Sequence, residues 1–229
     1  MKQPLLVELI GEPETGKSHF SCTAPRPFII DTTVQKEALP VIKKLHVDWE
    51  QRYKSVRDWD GLKEAVSGAV LRQDVATIVI DTSMDLQDLA KDAWLKEKKK
   101  EAVYPITQYV HVRDKIDGLI NAVREAEKNM IVTAGFKDEY VQDKRTGHRI
   151  RDGYARTPQQ ADIRLYLKIL EKVRTSEGGI AVTVYERECV VIKNRFRDKA
   201  GKDWIPMLNP VDWKTLIAAT GIKEEELVQ

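Results

Sequence analysis

Cysteine is scarce: Cys22 and Cys189 are the only two in 229 residues. Two isolated thiols make neither a disulfide framework nor a cysteine-based zinc site, and they fit a reducing compartment. Long apolar runs are missing as well. No stretch approaches the ~18 residues a membrane helix needs, so no membrane partner is expected. An excess of one charge is also absent. The formal net charge is +2, so any affinity for nucleic acid has to come from a local patch rather than the global field. The first apolar run starts within a few residues of Met1, which leaves no room for a secretory leader, and a cytoplasmic location is expected. There is no internal repeat, low-complexity tract or recognisable linker. What remains is an ordinary globular composition, 42% hydrophobic and 32% charged, suited to one α/β domain over 1–229 with a substantial core.

One segment is far more specific than composition. Residues Gly11-Glu12-Pro13-Glu14-Thr15-Gly16-Lys17-Ser18 spell a complete G-x-x-x-x-G-K-[ST] loop, directly after the apolar run Leu5 to Ile10. A strand, this loop and a following helix together cradle phosphates: the glycines let the backbone approach, and free N–H groups point at the ligand. Lys17 is expected to reach the β- and γ-phosphates, Ser18 to hold Mg²⁺, and His19 to adjoin the nucleotide. A second run, Val75 to Ile80, ends in Asp81, placed to share the Mg²⁺ with Ser18. These motifs imply a nucleoside triphosphate, taken as ATP, bound with Mg²⁺.

Apolar patterning sets the order of elements. Pro27 to Asp31 reads as a second strand, residues 35 to 45 as a helix interrupted at Pro40, and Val47 to Tyr53 as a short strand. Helical spacing runs from Trp59 to Leu71 and again from Leu86 into the charged run Lys96 to Glu101, expected to be a solvated helix end. Another helix is expected from about Ile106 to Lys128, then a strand at Asn129 to Ala134. Ile163, Leu165, Leu167 and Ile169 alternate with polar residues, which is strand spacing. With a turn at Ser176 to Gly179 and a return strand over 180–194, they form an antiparallel hairpin. Asn209-Pro210 is expected to open a last helix that Gly221 closes. The fold class is therefore α/β, a mostly parallel sheet flanked by helices with an antiparallel hairpin at its C-terminal side.

The purpose of the nucleotide is less legible. No guanine-reading N-K-x-D string and no arginine-rich kinase lid is present. In an expected basic loop at 137–157, the stretch from Lys144 to Arg156 carries Lys144, Arg145, Arg149, Arg151 and Arg156 against one acid, Asp152, with Tyr140 and Tyr154 flanking the cluster. Guanidinium groups can neutralise phosphates while tyrosines stack on bases, which suits single-stranded DNA. A solvent-exposed hairpin with its arginines paired to Asp138, Glu139 and Asp143 fits equally well. Lys193 and Arg195 end a late strand on one side and could reach a nucleotide on a neighbouring subunit.

The series Gly11 to Ser18, Ile30-Asp31-Thr32, Ile78 to Thr82, Ile131 to Ala134 and Ile192 to Arg195 resembles the RecA-like ATPases of phages and archaeal viruses, some of which are single-strand annealing recombinases. The resemblance implies a RecA-like P-loop core with single-stranded DNA as ligand and a homo-oligomeric ring or filament, in a host cytoplasm if the chain is viral. It assigns Lys17, Ser18 and Asp81 the phosphate and metal roles, and Lys193 and Arg195 a role across the subunit interface. It also implies a glutamate two residues after Asp31, where this chain has Thr33; Thr82 after Asp81 and Gly135 after the Ile131 strand depart likewise. Glu12, Glu14 and Glu37 are the alternative carboxylates for activating water. Outside the resemblance, a nucleotide-gated assembly protein that contacts a protein partner, or a small-molecule kinase, also fits the loop.

Overall fold

The computed structural model describes residues 3–98, 109–175, 181–196, 207–220 and 222. Its centre is a nine-stranded sheet. In chain order the strands are β1 (Leu6–Gly11), β2 (Pro27–Asp31), β3 (Tyr53–Ser55), β4 (Thr77–Asp81), β5 (Asn129–Val141), β6 (Lys144–Asp152), β7 (Ile163–Thr175), β8 (Ala181–Asn194) and β9 (Met207–Leu208). The spatial order is β3-β2-β4-β5-β1-β7-β8-β9, with β6 added to β5. The strands from β3 through β7 run parallel, while β8, β9 and β6 are antiparallel to their neighbours. This is the expected mixed α/β architecture of a P-loop nucleotide-binding fold.

Both faces of β1, β2, β4 and the first half of β5 are buried, which is why they read as continuous apolar runs, whereas β7 near the sheet's edge alternates. Leu5, Val7 and Leu9 face a cluster completed by Phe20 of α1 (Lys17–Cys22), Ile42 of α2 (Leu39–Leu45), and Trp213, Leu216 and Ile217 of the last helix. The opposite face carries Leu6, Ile30, Ile78 and Ile80. They pack on Leu62 and Val66 of α4 (Trp59–Leu71), Leu86, Ala90 and Trp94 of α5 (Leu86–Glu97), and Val112, Ile116 and Ile120 of α6 (Tyr109–Glu125). Each fully buried aliphatic side chain contributes about 1.5–3 kcal/mol before the entropy cost of ordering it.

Several boundaries differ from the sequence pattern, each for a local reason. Pro40 starts α2 instead of interrupting it, because the first helical turn needs no N–H from that residue. Val47 to Tyr53 is not a strand: α3 (Trp49–Arg52) forms there, with Arg52 donating to Asp48 one turn back at 2.7 Å, and β3 begins only at Tyr53. The last helix, α8 (Trp213–Thr220), is capped by Asp212, whose Oδ1 accepts the Thr215 N–H at 2.7 Å, so Asn209-Pro210 precedes the cap. α6 stops at Glu125, and Glu127 takes the left-handed backbone that ends a helix. At the charged run, Glu97 pairs with Lys115 at 2.6 Å. The expected turn at 176–179, Gly221, residues 99–101 of the charged run and the expected helix start at 106–108 lie outside the described residues. The short α7 (Thr157–Gln160) links β6 to β7.

Two hairpins extend beyond the parallel sheet at the end where β1 delivers the glycine-rich loop. β5 leaves its parallel neighbours near Ala134 and pairs with β6 from Gly135–Asp152 out to Val141–Lys144. Gln142 and Asp143, both left-handed, make the two-residue turn. β7 stays on β1 only as far as Leu167, opposite Gly11, then continues with β8 alone. That overhang explains why Leu165 and Leu167 are buried while Ile169, next in the same alternation, is largely exposed.

Candidate nucleotide site

Gly11 closes β1 where no side chain fits. A Cβ there would lie 2.5 Å from Thr15 Oγ1 and 2.7 Å from the Leu167 carbonyl. The loop turns through Glu14 and Gly16, both left-handed, and enters α1 at Lys17. Thr15 is buried and donates to the Glu12 carbonyl at 2.8 Å, which holds the loop in a curl. α1 has six residues, so the loop amides, more than a helix dipole, are what a phosphate would meet.

The expected residues converge. Lys17 Nζ donates to the carbonyls of Gly11 (2.8 Å) and Glu12 (2.7 Å), folded back on its own loop. Burial lowers its pKa, against the pull of Asp81, Glu37 and Glu12. Ser18 Oγ donates to Asp81 Oδ2 at 2.8 Å, across 63 residues of chain. Asp81 Oδ1 accepts from Thr133 Oγ1 at 2.6 Å. Thr133 comes from β5, the strand between β1 and β4, and the sequence reading missed it because a threonine inside an apolar strand carries no signal of its own. Asp81 is almost wholly buried. Desolvation raises its pKa, opposed by the hydroxyls of Thr133 and Ser18.

Lys17 and Asp81 border a cavity of about 310 Å³ whose lining also includes Gly11, Glu12, Glu37, Asp85 and Arg149 from β6. Asp85, also missed in the sequence, accepts from Thr32 Oγ1 at 3.2 Å, and burial raises its pKa. Thr33 stands where a glutamate was implied. Its hydroxyl donates to Asp31 Oδ1 at 2.6 Å, and Tyr53 donates to Asp31 Oδ2 at 2.9 Å, so that corner is a closed polar knot. A second cavity of about 670 Å³ lies outside the loop. Pro13, Glu14, Gly16, Ser18, His19 and Arg187 are among its lining residues. The Arg187 side chain lies over Gly16, 3.2 Å from where a Cβ would stand.

Two groups of expected residues are used elsewhere. Lys193 Nζ donates to the carbonyls of Pro158 (3.1 Å), Gln159 (3.2 Å) and Ala161 (2.5 Å), satisfying the end of α7. Arg195 pairs with the buried Asp162 at 2.6 Å. Both cations are used within their own chain, where the carbonyls around α7 and the Asp162 carboxylate offer acceptors, and Arg195 lies just past the end of β8. The 137–157 segment is likewise largely self-satisfied. Arg151 reaches Glu8 of β1, a carboxylate with 0% exposure, with Nε at 2.5 Å, and Arg164 holds the other oxygen at 2.5 Å. Arg156 pairs with Asp117, and Arg145 with Asp138 at 2.7 Å. Tyr154 is 0% exposed and donates to Asp117 at 2.9 Å, so its ring belongs to the core and cannot stack on a base. Arg149 pairs with Glu12 on the phosphate loop and donates to the Phe136 carbonyl at 2.9 Å. Lys144 is exposed near the turn, as is Tyr140.

Among the described residues no cluster of three or more histidine, cysteine or acidic side chains could hold a metal ion. A phosphate-bound Mg²⁺ needs no such cage, since it keeps waters and takes one or two protein oxygens. No helix of the described residues is long and apolar enough to cross a membrane. A search of curated proteins finds no match. A family model described as an AAA domain does match, over residues 3–196, which takes in the loop, Asp81 and both hairpins. A match over that much of the chain settles its kinship: it belongs to the AAA domain family of P-loop, nucleotide-binding ATPases.

Proposed function

We propose that this chain binds ATP with Mg²⁺ and hydrolyses it, and that the β5–β6 hairpin carries the nucleotide state to a partner. The observation that carries this is the convergence of Lys17 and Asp81 on one cavity wall, with Ser18 and Thr133 hydrogen-bonded to the Asp81 carboxylate. Amides of residues 12–18 would wrap the phosphates, and Lys17 would exchange its two carbonyl acceptors for phosphate oxygens. Ser18 Oγ and, through water, Asp81 would hold Mg²⁺, whose charge offsets that of the phosphates and relieves the buried Asp81 carboxylate. Asp85 is our assignment for the carboxylate that orients the attacking water. It is held by Thr32 and half-buried on the cavity wall, where Glu37 is exposed and Glu12 already serves Arg149. The water oxygen bonds to the γ-phosphorus, the bond to the bridging oxygen breaks, and the proton passes to the carboxylate.

Single-stranded DNA acted on in recombination, annealing or replication remains a reading of the partner, with a narrower footing. It rests on Lys144, Arg145 and Tyr140 near the hairpin turn, where Tyr140 is 62% exposed. The alternative is a nucleotide-gated assembly protein whose hairpin meets a protein partner, and the internal use of Arg151, Arg156 and Tyr154, which removes them as DNA contacts, favours it. ATP hydrolysis measured with and without single-stranded DNA, at low and moderate salt, separates the two: DNA stimulation that fades with salt favours the first. Lys17→Ala should abolish binding of the triphosphate, and undiminished binding by that variant would overturn the nucleotide assignment.

A further inference from the structure

The proposed hydrolysis needs positive charge on the terminal phosphate beyond Lys17, and the cations expected from sequence to supply it, Lys193 and Arg195, are tied up at α7 and Asp162. Another guanidinium already lines the phosphate cavity. Arg149 projects from β6 to the wall that also carries Gly11, Lys17 and Asp81, where it is held by the Glu12 carboxylate. Its second nitrogen donates to the Phe136 carbonyl of β5 at 2.9 Å. Alternation along β6 puts Arg151 on the same side as Arg149. Arg151 is pinned to the buried Glu8, so the root of the hairpin is fixed and Arg149 can change partner by rotating its own side chain.

We infer that Arg149 is a triphosphate contact supplied within the same chain, with Glu12 as the carboxylate that holds it until a γ-phosphate takes over. The inference rests on the nucleotide reading above and assigns a residue to its terminal-phosphate end. An arginine fork matches two phosphate oxygens as well as it matches a carboxylate. The phosphate carries more charge than Glu12, so exchange is downhill once the nucleotide and Mg²⁺ are seated. A diphosphate leaves Arg149 on Glu12. The hairpin thus has one attachment to the phosphate loop without γ-phosphate and another with it, and the residues beyond Arg149 sense the difference.

The test is equilibrium binding of ADP and of a non-hydrolysable ATP analogue, each with Mg²⁺, to the full chain and to Arg149→Ala, Arg149→Lys and Glu12→Gln, with thermal melts to verify folding. Arg149→Ala should weaken the triphosphate analogue by about tenfold or more and leave ADP within about twofold, the loss expected for one charge-assisted contact. Arg149→Lys should recover part of the difference, since it keeps the charge and loses the fork. Glu12→Gln should tighten the triphosphate more than the diphosphate. Equal effects of Arg149→Ala on both ligands, no effect on either, or a Glu12→Gln variant with weaker triphosphate binding would overturn the inference. A wild-type chain that binds neither nucleotide would remove the nucleotide reading and this inference together. Binding of both with an Arg149-independent ratio removes the inference alone.

Discussion

Arg151→Ala is the substitution for which surface and core readings of the hairpin give the most different answers. As a DNA contact on an exposed loop, Arg151 would be a residue whose removal changes stability by no more than about 0.5 kcal/mol. The structure places it against Glu8, with no exposed carboxylate surface at all and one other cation, Arg164, on the remaining oxygen. Breaking a buried ion pair by deleting one partner costs about 3–5 kcal/mol, because the other charge is left short of compensation. Arg164 stays in place, so the lower end, about 3 kcal/mol, applies. Arg151 also donates to the carbonyls of Gly153 and Tyr154, at 3.1 and 3.0 Å, and those bonds go with it. For a chain of this length each kcal/mol moves Tm by about 2–4 °C, so a fall of roughly 6–12 °C is predicted. Thermal melts followed by circular dichroism, with urea unfolding to check the slope, measure it. A fall of less than about 2 °C would mean that Glu8 is compensated by something other than Arg151, and the account of the hairpin root would be wrong.

Further predictions concern the site. Asp81→Asn should raise the apo-protein's Tm near neutral pH, because it removes a buried charge that desolvation disfavours, while abolishing Mg²⁺-nucleotide binding. The sign follows from the raised folded pKa: the wild-type penalty is absent below the unfolded value near 3.8 and grows as pH rises through the folded one. The gain should therefore vanish in acid, and equal melts at neutral pH would contradict it. Asp85→Asn should lower kcat by about a hundredfold or more with nucleotide affinity retained, as loss of a general base does; an unchanged kcat would shift the role to Glu37. Cys22 and Cys189 are both buried, with burial pushing each thiol up to about 12, so neither should react with a thiol reagent in the native chain at pH 8. Rapid native labelling would refute that.

What could be read in advance divides by range. The strands of the sheet centre announce themselves because burial on two faces demands unbroken apolar runs, and the loop because phosphate binding fixes residue types at fixed short spacing. Asp81 was legible for a related reason: it ends such a run beside Ser18. Arg151 and Arg156 were legible only as charges. Their acids, Glu8 and Asp117, stand 143 and 39 residues away, and nothing local distinguishes an arginine aimed at a buried carboxylate from one in water. Tyr154 failed for the same reason, its core being supplied by α6. Short-range errors had another origin. Asn209 and Asp212 are both good caps, and only the N–H of Thr215 says which one the helix uses. Pro40 interrupts a helix or opens one according to where that helix starts.

Glu8 gives a last prediction, because it joins what the sequence keeps apart. It lies three residues before Gly11 on the strand that delivers the phosphate loop, yet it borders neither of the two cavities beside that loop. Its two oxygens hold Arg151, at the root of one hairpin, and Arg164, at the root of the other. The β5–β6 hairpin brings Arg149 to the phosphate cavity, and the β7–β8 hairpin brings Arg187 over Gly16. A single buried carboxylate therefore ties the roots of both arms to the strand that carries the loop. Glu8→Gln keeps the size and loses the charge, leaving two guanidinium groups short of an acceptor. Nucleotide affinity should fall several-fold although the substituted side chain never meets the ligand, and limited proteolysis should cut within 137–151 sooner than in the wild type. If Glu8→Gln lowers Tm while nucleotide affinity and the proteolytic pattern stay as they were, the triad is a stability element only, and the arms are positioned by their strand pairing.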